Sequence, residues 1–184
     1  MTYTVLDACC GPRMMWLDTP PGVLFGDVRR ETVVVTDRSH GKQDGTRAVS
    51  VEPDVIMDFR QMPYPSNHFK LVAFDPPHLE RAGPKSWMAA KYGRLSTDWR
   101  DDIRRGFMEC FRVLKPDGVL VFKWNETHVK LKEVLELVPE RPLFGQVSGK
   151  GGLTHWLVFM KAAPPLPPTA DFPGRLLHHR PGVM

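Results

Sequence analysis

Nine residues constrain this chain more than any others: Phe69-Lys70-Leu71-Val72-Ala73-Phe74 is a nearly continuous apolar run that stops at Asp75-Pro76-Pro77. A run of that length and composition reads as a strand buried on both faces, as in the middle of a parallel sheet. Proline lacks the N–H that a sheet ladder needs, so the pair marks where the strand ends.

The surrounding pattern fits such a sheet. Tyr3 to Ala8 is a short β-prone run closed by Cys9-Cys10-Gly11-Pro12, a strand entering a turn. Arg13 to Leu17 is predicted as a brief helix with Pro12 in its first turn and Pro20-Pro21-Gly22 as its stop. Val23 to Val28 is a second strand. Thr32 to Thr36 and Arg47 to Val51 flank a turn from Ser39 to Gly45 and predict a hairpin, and Asp54 to Asp58 predicts the next core strand. Ser96, Thr97 and Asp98 are candidate caps for a helix whose apolar residues Ile103, Phe107, Cys110, Phe111 and Leu114 fall at helical spacing, with Lys115 to Gly118 ending it. Val119 to Phe122, Val129 to Val138 and Trp156 to Met160 predict strand, helix and strand. Helix and strand thus alternate after residue 54, the pattern of a doubly wound α/β sheet with helices on both faces. The prolines at 164, 165, 167, 168, 173 and 181 preclude regular structure in an extended tail over 162–184, where His178-His179 reads as solvent-exposed rather than metal-binding.

A length of 184 residues suits one compact domain. A composition of 42% hydrophobic and 25% charged residues is that of soluble globular proteins, and no apolar run reaches the ~18 residues of a membrane span. Asp7 and Arg13 interrupt the first twenty residues, which argues against a secretory leader and gives a cytoplasmic address as the expectation. Cys9, Cys10 and Cys110 form neither a disulfide framework nor a zinc pattern, and read as core-filling thiols with a catalytic cysteine as the minority alternative; no metal is expected. The net charge is +4, and +3 of it lies between Glu80 and Arg105, where seven Lys or Arg face four acids.

Ligands of parallel sheets bind where strands end. The first end carries Asp7-Ala8-Cys9-Cys10-Gly11, where Gly11 lets backbone approach a ligand, or only makes a turn. The second carries Asp27, an acid able to accept the hydrogen bonds of a ribose diol. The third carries Asp58-Phe59, suited to the amino group and ring face of adenine. Either acid has capping or facing solvent as its alternative. The fourth carries Asp75-Pro76-Pro77-His78, whose prolines alternatively do no more than stop a strand.

Together these motifs resemble the class I S-adenosylmethionine (SAM) dependent methyltransferases, and among them the amino methyltransferases whose fourth-strand motif reads Asp or Asn, Pro, Pro, aromatic. The resemblance covers residues 3 to 161, a methyltransferase domain over 1–161. It rests on Asp7-Ala8-Cys9-Cys10-Gly11, on Val55-Ile56-Met57-Asp58-Phe59 through Pro65 leading into Phe69 to Pro77, and on Leu114-Lys115-Pro116-Asp117-Gly118-Val119-Leu120. It implies a Rossmann-like, mostly parallel sheet with an antiparallel last strand and SAM as methyl donor. The residues it assigns to the donor are Asp7, Ala8, Cys9, Cys10, Gly11, Asp27, Asp58, Phe59 and Asp75. The sequence departs from the family at Arg13, where a glycine is usual, at Cys9, where many members have glycine, and at His78, where Tyr, Phe or Trp is most common.

The implied reaction is an in-line displacement that depends on alignment of nucleophile, carbon and sulfur. Asp75 and the Pro76 carbonyl, with Pro77 completing the turn, would accept hydrogen bonds from an exocyclic amine. His78 would stack on the base, or is merely a polar residue leading into a loop. The long segment from Leu79 to Asp98 interleaves cations with aromatics, and Lys85, Trp87 and Tyr92 are expected to contact a nucleic-acid acceptor. Lys123, Trp124 and Asn125 are expected to border the same pocket, with core packing an equal reading of Trp124. The leading acceptor is adenine N6 in DNA or RNA, ahead of cytosine. The alternatives are a small molecule, a protein side chain, or a non-catalytic SAM-binding subunit, against which the intact Asp75 argues.

Overall fold

The computed structural model describes residues 3–37, 43–83 and 86–163. Lys85, residues 39–42 of the expected turn, and the proline-rich segment from Pro164 on, with His178 and His179, lie outside the described residues.

A seven-stranded sheet organises the chain. Its strands are β1 (Val5–Asp7), β2 (Val23–Asp27), β5 (Val55–Ile56), β6 (Phe69–Phe74), β7 (Leu114–Asn125), β8 (Phe144–Ser148) and β9 (Thr154–Met160), in the order β5-β2-β1-β6-β7-β9-β8. Neighbours from β5 to β7 run parallel, and β9 runs antiparallel to both β7 and β8. A separate antiparallel hairpin, β3 (Glu31–Thr36) with β4 (Thr46–Val51), stands between β2 and β5. This is a Rossmann-like, mostly parallel α/β fold.

The core forms where β6 and β7 meet α2 (Trp99–Val113). Trp99, Ile103, Phe107, Cys110 and Phe111 recur at three- to four-residue spacing on α2 and are buried. Phe107 packs between Phe74, at 5.5 Å, and Phe122, at 4.8 Å. Full burial of each such ring stabilises the fold by about 1.5–3 kcal/mol. Gly106 lets α2 approach closely, since a Cβ there would fall 2.6 Å from Phe74 and 2.8 Å from Phe59. The helix ends at Val113, where the Lys161 ammonium binds the carbonyl of Leu114 at 2.7 Å. Lys115 to Gly118 therefore does not stop the helix but forms an irregularity inside β7. Phe69 pairs with Leu114 and Leu71 with Val119, and Asp117 adopts a φ of 61° between them.

Other expectations change as well. Arg13 to Leu17 is not a helix but a series of turns, with Arg13 at φ 56°. Tertiary anchors override the local pattern there. The Arg13 guanidinium reaches the Glu52 carbonyl and Asp54 over the Phe25 ring, and the Trp16 indole donates to Asp7 at 2.7 Å. The helix expected over Val129 to Val138 is one short turn, α3 (Leu131–Leu135). Within the long segment after Pro77 lies a six-residue helix, α1 (Trp87–Tyr92), packed near the hairpin through Arg47 and Trp87. Among the described residues no helix is long and apolar enough to cross a membrane.

Candidate active site

Strand order reverses between β1 and β6, because the chain leaves β1 toward β2 on one side and reaches β6 on the other. That is where a crevice opens in a sheet of this kind. The first residue past β1 is tied to β6 there by the Ala8 N–H, which donates to the Ala73 carbonyl at 2.9 Å. One cavity occupies the crevice. Its walls come from the loop after β1 (Ala8 to Pro12, Met14, Met15), the end of β2 and the residues after it (Asp27 to Arg29), Phe59, the turn after β6 (Asp75, Pro77), α1 (Lys91, Tyr92) and Lys123 of β7.

Gly11 shapes the first wall. It adopts a φ of 48°, and its N–H donates to Asp27 Oδ2 at 3.0 Å, so the loop is latched to the end of the neighbouring strand. A Cβ at this position would come within 3.2 Å of the Lys91 carbonyl. Asp7 lies beneath the loop, 1% exposed, accepting from the Cys9 N–H and the Trp16 indole. Burial, with Asp75 and Asp27 nearby, pushes its carboxyl up to about 7 against the pull of those two donors. Cys9 and Cys10 reach the cavity, but burial raises the Cys9 thiol well above its ordinary range and the Cys10 thiol to about 12. Both stay protonated at neutral pH, which argues against a thiolate nucleophile.

The two acids expected at the donor differ. Asp27 faces the cavity, with Oδ1 accepting from the Arg29 N–H at 2.9 Å and Oδ2 from Gly11. A carboxylate has about four acceptor positions, so Oδ2 can take a further hydroxyl. Asp58 does not line the cavity. Its carboxylate is clasped by Arg60, which holds Asp102 in turn, and the Arg60 guanidinium keeps Asp58 below its usual range. Phe59 supplies the cavity wall at that strand end.

Asp75, just past the end of β6, lines the cavity. Its Oδ2 accepts from the Lys123 ammonium, while Oδ1 is buried with no hydrogen-bond partner. Burial raises its pKa and Lys123 opposes the rise. His78 does not line the cavity. It is 4% exposed, packed between Tyr92 at 5.0 Å and Trp124 at 6.2 Å, and burial followed by the Lys123 charge lowers its pKa to about 4.

The structure therefore gathers Ala8, Cys9, Cys10, Gly11, Asp27, Phe59, Asp75, Pro77, Tyr92 and Lys123 around one cavity. Trp124 is core: fully buried, its indole donates to the Val129 carbonyl at 2.9 Å. Asn125 is engaged with Thr127 and Thr154, and the Trp87 ring faces Arg47 and Lys91 rather than the cavity. The period-two pattern of β7 carries the signal for Trp124, since Leu120 and Phe122 share its buried face and Lys123 falls on the other. Arg29, Lys91, Met14 and Met15 line the cavity with no motif to announce them. Among the described residues no group of three or more His, Cys, Asp or Glu could hold a metal ion.

The strand order, with its single antiparallel strand, is that of the class I methyltransferase fold. No protein-family model matches the chain, and no curated protein matches it. Solved structures do. The chain is similar in fold to the PH0226 protein from Pyrococcus horikoshii OT3, with a TM-score of 0.51 and 14% identity over 89% of this chain and 83% of that one. It is equally similar to a SAM-dependent methyltransferase from Methanosarcina mazei, with a TM-score of 0.51 and 15% identity over 86% of this chain and 92% of that one.

Proposed function

We propose that the protein is a SAM-dependent methyltransferase that modifies an exocyclic amino nitrogen, with adenine N6 of DNA or RNA as the leading acceptor. The observation that carries this reading is Asp75, which lines the same cavity as the Gly11 loop and whose buried Oδ1 has no hydrogen-bond partner. The residues present suit the donor: a glycine whose missing side chain leaves a cradle, an acid at the end of β2 and an aromatic wall at Phe59. Bound there, SAM supplies an electrophilic methyl group on a sulfonium.

The chain's own residues then have to position the nucleophile. Asp75 Oδ1, with Oδ2 held by Lys123, accepts one amine N–H; the Pro76 carbonyl, expected from the sequence to accept the other, does not line the cavity and is engaged by the His78 ring. The hydrogen bond to Asp75 returns electron density to a nitrogen whose lone pair is otherwise delocalised into the ring. The new N–C bond forms as the S–C bond breaks with its electron pair going to sulfur. The nitrogen then sheds a proton, for which Asp75 Oδ1 is the unpartnered acceptor in the cavity.

One observation favours a smaller acceptor as the second reading: Trp87, Trp124 and Asn125 do not line the cavity. Incubation with methyl-labelled SAM and DNA, RNA or a mixture of free amines, followed by mass spectrometry of the products, tests both readings. Methyladenosine formed by the native protein and lost in Asp75→Asn supports the first. Methylation of free amines alone supports the second, and donor binding without any product overturns the enzyme reading.

A further inference from the structure

Lys91 is 8% exposed, lines the cavity beside Gly11, and has no carboxylate within ion-pairing distance among the described residues. Its ammonium rests only on aromatic faces, 5.0 Å from the Tyr92 ring centre and 5.5 Å from that of Trp87. Aromatic faces soften the cost of removing an ammonium from water without neutralising it. The other two cations of the cavity are already engaged: Lys123 with Asp75, and Arg29 with Asp27 and the Ala90 carbonyl. The cavity therefore contains one positive charge with no ion-pair partner among the described residues.

We propose that Lys91 binds the α-carboxylate of the methyl donor, an inference that rests on the methyltransferase reading. A sulfonium donor of this kind brings one carboxylate, and an enclosed ammonium is a strong site for it because charge-assisted hydrogen bonds gain strength away from water. The position of α1 gives the contact a second consequence. The Gly93 turn that ends α1 lies against Pro77, where a Cβ on Gly93 would fall 3.0 Å from the proline ring, and Arg29 fastens the Ala90 carbonyl at 2.9 Å. Donor recognition through Lys91 thus steadies the segment that adjoins the acceptor motif.

Calorimetric titration with SAM and with decarboxylated SAM, which keeps the sulfonium and the amine, tests the assignment. The native protein is expected to prefer SAM by about 10- to 100-fold, the range for a hydrogen bond to a charged group. Lys91→Met should bind both compounds equally at the weaker level, and Lys91→Arg should retain a preference for SAM. Near-ultraviolet circular dichroism and urea unfolding establish that each variant is folded. If Lys91→Met is unfolded, Lys91→Gln takes its place. A folded Lys91→Met that still prefers SAM overturns the inference, as does one whose only defect is a raised KM for polynucleotide. A native protein that prefers SAM no more than its decarboxylated form also overturns it. If the native protein binds neither compound, the methyltransferase reading falls with it.

Discussion

Lys123 on β7 holds one carboxylate oxygen of Asp75 at the end of β6 and leaves the other buried without a partner. The pair spans adjacent parallel strands, so the carboxylate is oriented from its own strand end and from the neighbouring strand at once. Removing one partner strands the other charge. Lys123→Met is expected to lose about 3–5 kcal/mol of stability, the usual cost of breaking a buried pair, while Lys123→Met with Asp75→Asn recovers most of it. Urea unfolding of the single and double variants measures this. A double variant as unstable as the single one would mean that the ammonium acts by packing rather than by charge.

Asp7 makes stability depend on pH. Its carboxyl is raised from 3.8 to about 7 by burial, so between those values the folded state keeps a proton that the unfolded state releases. This group therefore lowers stability as pH rises from about 4 to 7, by up to about 1.4 kcal/mol per unit, and adds no further slope above that window. The stability of Asp7→Asn relative to the native protein is expected to rise with pH across the window. Unfolding free energies at pH 5 and 8 give the sign, and a difference independent of pH would show that Asp7 is ionised throughout.

His78 works in the opposite direction. Its pKa is lowered from 6.5 to about 4, so it folds as the neutral imidazole, and stability from this group falls as pH drops from about 6.5 toward 4. His78→Phe should remove that acid sensitivity. Because the ring packs between Tyr92 and Trp124 outside the cavity wall, the variant should retain transfer within a few-fold at pH 7.5. A loss beyond about tenfold, or about 1.4 kcal/mol of transition-state binding, would show that the imidazole reaches the acceptor.

The two strand-end acids separate by variant. Asp27→Ala is expected to weaken SAM binding by about tenfold or more, through the lost hydroxyl acceptor and the released Gly11 N–H. Asp58→Ala should instead free Arg60 and leave donor affinity within a few-fold, since the carboxylate is clasped away from the cavity. Calorimetry on both distinguishes them, and equal losses would restore Asp58 as a donor contact.

The central strands and the end of β6 were legible because burial on both faces leaves an uninterrupted apolar run and the prolines terminate it in one register. The helix α2 was legible from its spacing. Arg13 misled because its neighbours carry helix-compatible residues, while the decisive contacts come from Glu52 and Asp54, some forty positions away. Trp124 could have been assigned to the core from the alternation along β7. Lys91 could not, because its meaning lies in the fold bringing a mid-segment lysine against the glycine loop, which no local pattern records. The same limit applies to Asp58, whose partner Arg60 is close in sequence but whose orientation is fixed by Asp102 on α2.

Strand β9 runs against its neighbours and returns the chain to the amino end of β7, where Met160 pairs with Val119 and the Lys161 N–H donates to the Gly118 carbonyl. The polypeptide thus departs at the pole of the sheet opposite the crevice. An affinity handle, fluorophore or DNA-targeting module joined directly after Lys161, in place of the residues that follow, would start its path on the side of the sheet away from the cavity.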